Sequence, residues 1–132
     1  MNNTTQLLLA DLLLAGSANL LSGCGSGLKA GDVDAVNEAS EVAIVCKTNE
    51  ALAAVDRASG GGGLGACISD LQRVVMLRDG GRSAQADAAM AERNKRWGVG
   101  ARAAAEAEKS VAESVEQMRY ERQKRTGRRT CD

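Results

Sequence analysis

The sequence predicts an all-α protein: extended helices joined by Gly-rich hinges, with a helical hairpin around residues 59–65. Three observations predict it. Ala, Leu, Arg and Glu, all good helix formers, recur throughout the 132 residues. There is no Pro, so Gly alone punctuates the chain. Apolar residues repeat at three- and four-residue spacing; the one strand-like patch, Val42-Ala-Ile-Val45, has no second patch to pair with.

The first element is an apolar segment within residues 1–23. Its Leu7, Leu8, Leu9, Leu12, Leu13, Leu14, Leu20 and Leu21 make a helix greasy nearly all round, suited to lipid or to burial in an assembly. The run is shorter than the ~20 apolar residues that span a bilayer alone, and Asp11 sits inside it. Leu21-Ser22-Gly23-Cys24 matches the box at which bacterial lipoprotein precursors are cleaved and lipidated. Against that role, no Lys or Arg precedes the run.

Residues 24–31 form a Gly-rich linker, and residues 32–132 a helical body with a basic carboxyl-terminal tail. Asp32 or Asp34 serves as N-cap, and acids gather in the first turns (Asp34, Glu38, Glu41), as the helix dipole favours. Val42, Val45, Leu52 and Val55 continue one apolar stripe to about Ala58, so a single helix is expected there. Ser59 to Gly63 then break the chain. Gly60, Gly61, Gly62, Gly63 and Gly65 are read as a hinge, with the next helix starting at Leu64.

Leu64, Cys67, Ile68, Leu71, Val74, Val75 and Arg78 repeat at helical spacing up to the bend at Asp79-Gly80-Gly81. From Arg82 to Arg125 the chain is Ala-, Arg- and Glu-rich, with a weak point at Gly98-Val-Gly100 and a seam through Ala104, Val111, Val115 and Met118.

Composition bounds the chemistry. The large apolar inventory is thin, with no Phe, one Trp and one Tyr, so the core is expected to draw on partners or oligomerisation. With no His, imidazole general bases, Ser-His or Cys-His nucleophile pairs and His metal ligands are excluded. Cys24, Cys46, Cys67 and Cys131 contain no C-x-x-C pair, so no zinc site is expected; Cys46 and Cys67 fall in apolar patterns and read as small packing residues, not a disulfide framework.

Gly60, Gly62 and Gly65 spell G-x-G-x-x-G, but a helix rather than a strand precedes them. For a phosphate loop, Ala66 and Cys67 stand where Lys and Ser/Thr are needed. Asp32-Val-Asp34 lacks the turn glycine of a calcium loop, since Asn37 occupies that place. No catalytic, cofactor or metal residue is assigned, and no small-molecule substrate is expected.

Net charge is zero but divided. Residues 1–66 carry three basic against seven acidic residues, and residues 67–132 fourteen against ten. The tail holds Arg119, Arg122, Lys124, Arg125, Arg128 and Arg129, a pattern suited to nucleic acid, anionic lipid or an acidic protein surface, or to a solvated helix end.

The order over residues 45–120 resembles the smallest internal virion (ejection) proteins of short-tailed bacteriophages. It is carried by Ala58-Ser-Gly-Gly-Gly-Gly-Leu-Gly65, by Ile68-Ser-Asp-Leu-Gln-Arg73, and by a long polar helix with Asn94 and Trp97. The chain departs from that family in its shortness, its four cysteines and its oily start. The resemblance implies a structural protein inside the capsid near the portal, joined to itself in a ring and to other virion proteins. It would leave ahead of the DNA and help form a conduit through the host envelope. Two alternatives stay open: a small bacterial or phage lipoprotein lipidated at Cys24 with a helical periplasmic domain, and a helical scaffold whose basic tail binds nucleic acid.

Overall fold

The computed structural model describes residues 30–59 and 63–132. Among them every regular element is helical: α1 (Ala30–Ile44), α2 (Thr48–Ser59), α3 (Gly63–Asp79), α4 (Ser83–Arg96) and α5 (Ala101–Thr126). Of the expected domains, the segment 1–23 and the linker up to residue 29 lie outside the described residues; α1 begins at Ala30, just inside the expected linker.

α3 is the hub. It packs against α2, α4 and α5, and α1 packs mainly against α2. The helices can approach closely because so many contact residues are small: Ala39, Ala43, Ala51, Ala54, Ala86 and Ala107 are all buried in the main cluster. Leu71, Val74, Val75, Met76, Met90, Val111, Val115 and Met118 fill the space between them. A second cluster of Ala35, Val36 and Ala58, with Ile68 against it, closes the opposite end of the α1–α2 pair. Arg57 Nη2 and Glu38, 2.7 Å apart, span the same two helices.

The single helix expected from residue 32 to 58 is two. α1 stops at Ile44, where Cys46 takes a left-handed φ of 64°. Its N–H donates to Ala43 O at 2.9 Å and that of Lys47 to Val42 O at 3.0 Å, a Schellman closure. The α3–α4 turn repeats the pattern: Gly81 (φ 75°) donates to Arg78 O and Arg82 to Leu77 O. So does the α4–α5 turn, through Gly98 and Val99. At the first turn a Cys stands where the others have Gly, so nothing in the local sequence marks the stop.

Cys46 is not a free packing residue. It is disulfide-bonded to Cys131 across 85 positions, with Cα atoms 5.5 Å apart. Cys67, fully buried on α3, is also disulfide-bonded. Both findings correct the sequence expectation. The first bond forms because the last residues, beyond Gly127, turn back over the α1–α2 corner, a long-range return that cysteine spacing does not reveal.

Closing a loop of this length restricts the unfolded chain by about 4 kcal/mol. Cys131→Ser should therefore retain helical circular dichroism but lower the urea midpoint clearly, measured under non-reducing conditions. An unchanged midpoint would show that the bond does not hold the fold.

Candidate functional site

The buried stripe of α5 runs Ala107, Val111, Val115 and Met118, and its next position is Arg122. Ala104, which the expected seam included, is only half-buried. An arginine thus occupies a core position, with a relative exposure of 0 %. A guanidinium has five N–H donors, and burial is tolerable only if they are satisfied. Here all five are. Nε donates to Ile44 O at 3.0 Å; Nη1 donates to Asp79 Oδ1 at 3.0 Å and Arg129 O at 2.9 Å. Nη2 donates to Ala43 O at 3.0 Å and to Asp79 Oδ2.

The acceptors come from three places. Ala43 and Ile44 supply carbonyls at the end of α1, where a cation is favoured; that of Ala43 also accepts from the Cys46 N–H. Asp79, itself 5 % exposed, ends α3, a position that disfavours an anion unless a cation neutralises it. Arg129 lies in the returning tail. Beside the node, Gly80 sits so close to α2 that a Cβ would lie 2.8 Å from Thr48 Cγ2. A side chain there would push the two helices apart.

Other arginines fasten helix to helix. Arg78 forks onto Glu108, with Nη1 at 2.5 Å and Nη2 at 3.0 Å, and reaches Asp87 at 3.4 Å. The hydrogen bonds to Glu108 raise its pKa above the ordinary arginine value. Arg125 forks onto Glu41 of α1 at 2.8 and 3.4 Å, and its pKa is raised in the same way. Midway along α3, Asp70 accepts from Trp97 Nε1 at 2.7 Å and lies 3.5 Å from Arg96. Arg93 nearby is 4 % exposed; its pKa is lowered, because burial disfavours its charge.

The basic tail has partners within the chain, while Lys124, Arg125, Arg128 and Arg129 stay exposed. Arg122 is buried, and Arg119 lies 3.6 Å from Glu116 and 3.7 Å from Asp79. Lys124 is 3.5 Å from Glu121 and sits over the Tyr120 ring. Arg125 holds Glu41, Arg129 holds Glu116, and Arg128 donates to Asp132 O at 2.5 Å. The six cations expected to form a basic surface are engaged within the chain, because α5 turns its last two turns towards α1 and α3.

Of the expected hinge, Gly60, Gly61 and Gly62 lie outside the described residues. Gly63 and Gly65 are helical in α3, where Ser69 Oγ donates to Gly65 O at 2.8 Å. Leu7, Leu8, Leu9, Leu12, Leu13, Leu14, Leu20 and Leu21 also lie outside. No described helix is long and apolar enough to cross a membrane. Among the described residues, no group of three or more Cys, Asp or Glu is placed to hold a metal ion. Ala66 and Cys67, where a phosphate loop needs Lys and Ser/Thr, are fully buried.

Sequence reasoning missed the Arg122–Asp79 pair. One signal was present: Val111, Val115 and Met118 extended by four residues give Arg122. Comparison with known protein families, with curated proteins and with solved structures finds no match to this chain.

Removing one member of a buried pair leaves the other charge unpaired, at a cost of about 3–5 kcal/mol. Asp79→Asn should therefore destabilise the fold far more than Glu116→Gln, which affects exposed pairs of small worth. Chemical denaturation of the two variants side by side checks this; similar midpoints would remove Arg122–Asp79 from its central place.

Proposed function

We propose that this chain is a structural, non-catalytic helical protein that works in an oxidising environment, as an internal component of a bacteriophage particle that helps carry DNA through the host envelope. The Cys46–Cys131 bond supports the first half of that reading. Disulfides persist on virions, outside cells and in the periplasm, and are rare where cellular thiols keep cysteines reduced. The resemblance over residues 45–120 supports the second half. A structural role also agrees with the carboxylates: Asp79, Glu41 and Glu108 are each held by an arginine instead of standing ready to move a proton.

The partners in this reading are further copies of the chain, arranged as a ring, and other virion proteins, with the host membrane met during delivery. The intramolecular pairing of Arg119, Arg122, Lys124, Arg125, Arg128 and Arg129 favours protein contacts over phosphate contacts. A scaffold that binds nucleic acid through this tail would have to draw the exposed Lys124, Arg125, Arg128 and Arg129 away from these partners.

A lipoprotein anchored through Cys24 is the second reading, favoured by Leu21-Ser22-Gly23-Cys24 and by the same disulfide chemistry. The sequence sets it behind the first, since no Lys or Arg precedes the apolar run and Asp11 sits inside it.

Mass spectrometry of protein alkylated at harvest and left unreduced tests these readings. The expected result is a chain from purified particles with residues 1–23 attached and no alkylated cysteine. A lipid-bearing chain starting at Cys24 would establish the lipoprotein instead. Four alkylated cysteines in a cytoplasmic protein would overturn both.

A further inference from the structure

Residues 127–132 are held to the bundle by one covalent bond and by little else. They follow α5 as Gly-Arg-Arg-Thr-Cys-Asp, with no large apolar side chain to bury. Beyond the local turn contacts at Gly127 and Arg128, the polar contacts that reach the bundle come from Arg129. Its carbonyl accepts from Arg122 Nη1, and its guanidinium meets Glu116. Arg128 donates to Asp132 O, inside the segment. The Glu116 pair is exposed and of small worth, and one hydrogen bond does not offset the freedom that an ordered run of this length gives up. The Cys46–Cys131 disulfide therefore closes the segment over Arg122.

Thiols can reach that bond. Cys46 is exposed at the α1–α2 corner and Cys131 is half-buried, whereas Cys67 is fully buried. Access is one of the factors that sets the rate of thiol–disulfide exchange, and exposed disulfides are the labile ones. The bundle does not need the segment in place. No residue beyond Met118 belongs to either apolar cluster. Without Arg129 O, Arg122 keeps its bonds to Ala43 O, Ile44 O and both Asp79 oxygens, and water can take the place at Nη1. Gly127, with φ 75° and open space where a Cβ would stand, is a ready pivot.

We propose that residues 127–132 are a thiol-released strap. It closes over the Arg122–Asp79 node while Cys46–Cys131 is oxidised, and turns away about Gly127, with α1–α5 still folded, when that bond is reduced. A thiolate of a dithiol attacks Cys46 Sγ, the S–S bond breaks, and the Cys131 sulfur leaves as a thiolate. The second thiol then displaces Cys46 from the mixed disulfide. The dithiol closes to its own disulfide; its two electrons and two protons end on the two cysteines. Release frees Arg128, Arg129 and the chain end. The strap rests on the oxidising-environment reading: it stays closed in the particle and opens where delivery brings the chain to cellular dithiols.

Limited trypsin digestion of the full-length protein, read by mass spectrometry, tests the strap. The oxidised protein is compared with the protein reduced by dithiothreitol and with Cys46→Ser/Cys131→Ser left unreduced, which spares the bond of Cys67. Cleavage after Arg128 and Arg129 should rise about tenfold in the second and third, because proteolysis follows the population of the open form. Cleavage within α1–α4 should stay slow, and helical circular dichroism should be retained. Equal rates after Arg128 and Arg129 in all three would show the strap held without its bond and overturn the proposal. So would fast cleavage throughout α1–α4 with loss of helicity, which is unfolding and not release. An effect of dithiothreitol that the double variant does not reproduce would also overturn it. Cys46 and Cys131 found alkylated at harvest from particles would remove the closed strap together with the environment reading, whereas equal digestion rates would remove the strap alone.

Discussion

Placing an arginine in the core of a small helical protein constrains everything near it. Arg122 is buried completely, and each of its five donors has an acceptor. Those acceptors belong to the end of α1, the end of α3 and the returning tail, so none of the three can move without leaving a donor unpaired. A hydrophobic residue at position 122 could fill the volume, but the Ile44 carbonyl would lose its Nε donor and the buried Asp79 carboxylate its two guanidinium hydrogen bonds. The node therefore supplies specificity of arrangement more than raw stability. It fixes where α1 stops, how α5 lies across α1 and α3, and where the chain ends.

The helical class and most boundaries were legible because they rest on local rules. Period, the lack of Pro and the glycines at 80–81 and 98–100 mark helices and stops that neighbouring residues decide. The break at Val45–Lys47 was not legible, because its left-handed residue is Cys46, and cysteine carries no turn signal. What holds Cys46 there lies 85 positions away. The same holds for the tail. Six basic residues near a terminus look solvated when read in order, yet Arg122 follows from the α5 stripe and Arg125 finds its acid on α1. Charge content is local, whereas its pairing is tertiary.

The division of charge along the sequence takes on a different meaning in the fold. An acidic first half and a basic second half can signal two partner surfaces. Here part of that separation is consumed internally: Arg125 meets Glu41, and Arg73 meets Asp56. Such exposed pairs contribute little energy one by one. Their effect is on orientation, because alanine-rich interfaces are smooth and tolerate sliding. Forked contacts such as Arg78 on Glu108 have a preferred geometry that bare alanine surfaces lack.

The disulfide and the buried ion pair are not independent. The attraction between Arg122 and Asp79 is strong only while water is kept away, and the tail whose Arg129 carbonyl accepts from Arg122 is part of what excludes it. That tail is anchored by Cys131, two residues beyond Arg129, to Cys46, two residues beyond Ile44. The covalent bond thus joins the chain just beyond the Ala43 and Ile44 carbonyls to the chain just beyond the Arg129 carbonyl, all three bound by Arg122. Reduction would act twice: it would free the unfolded chain, and it would let water reach a charge pair whose arrangement depends on dryness. A protein organised in this way fits an environment in which the bond, once formed, is kept.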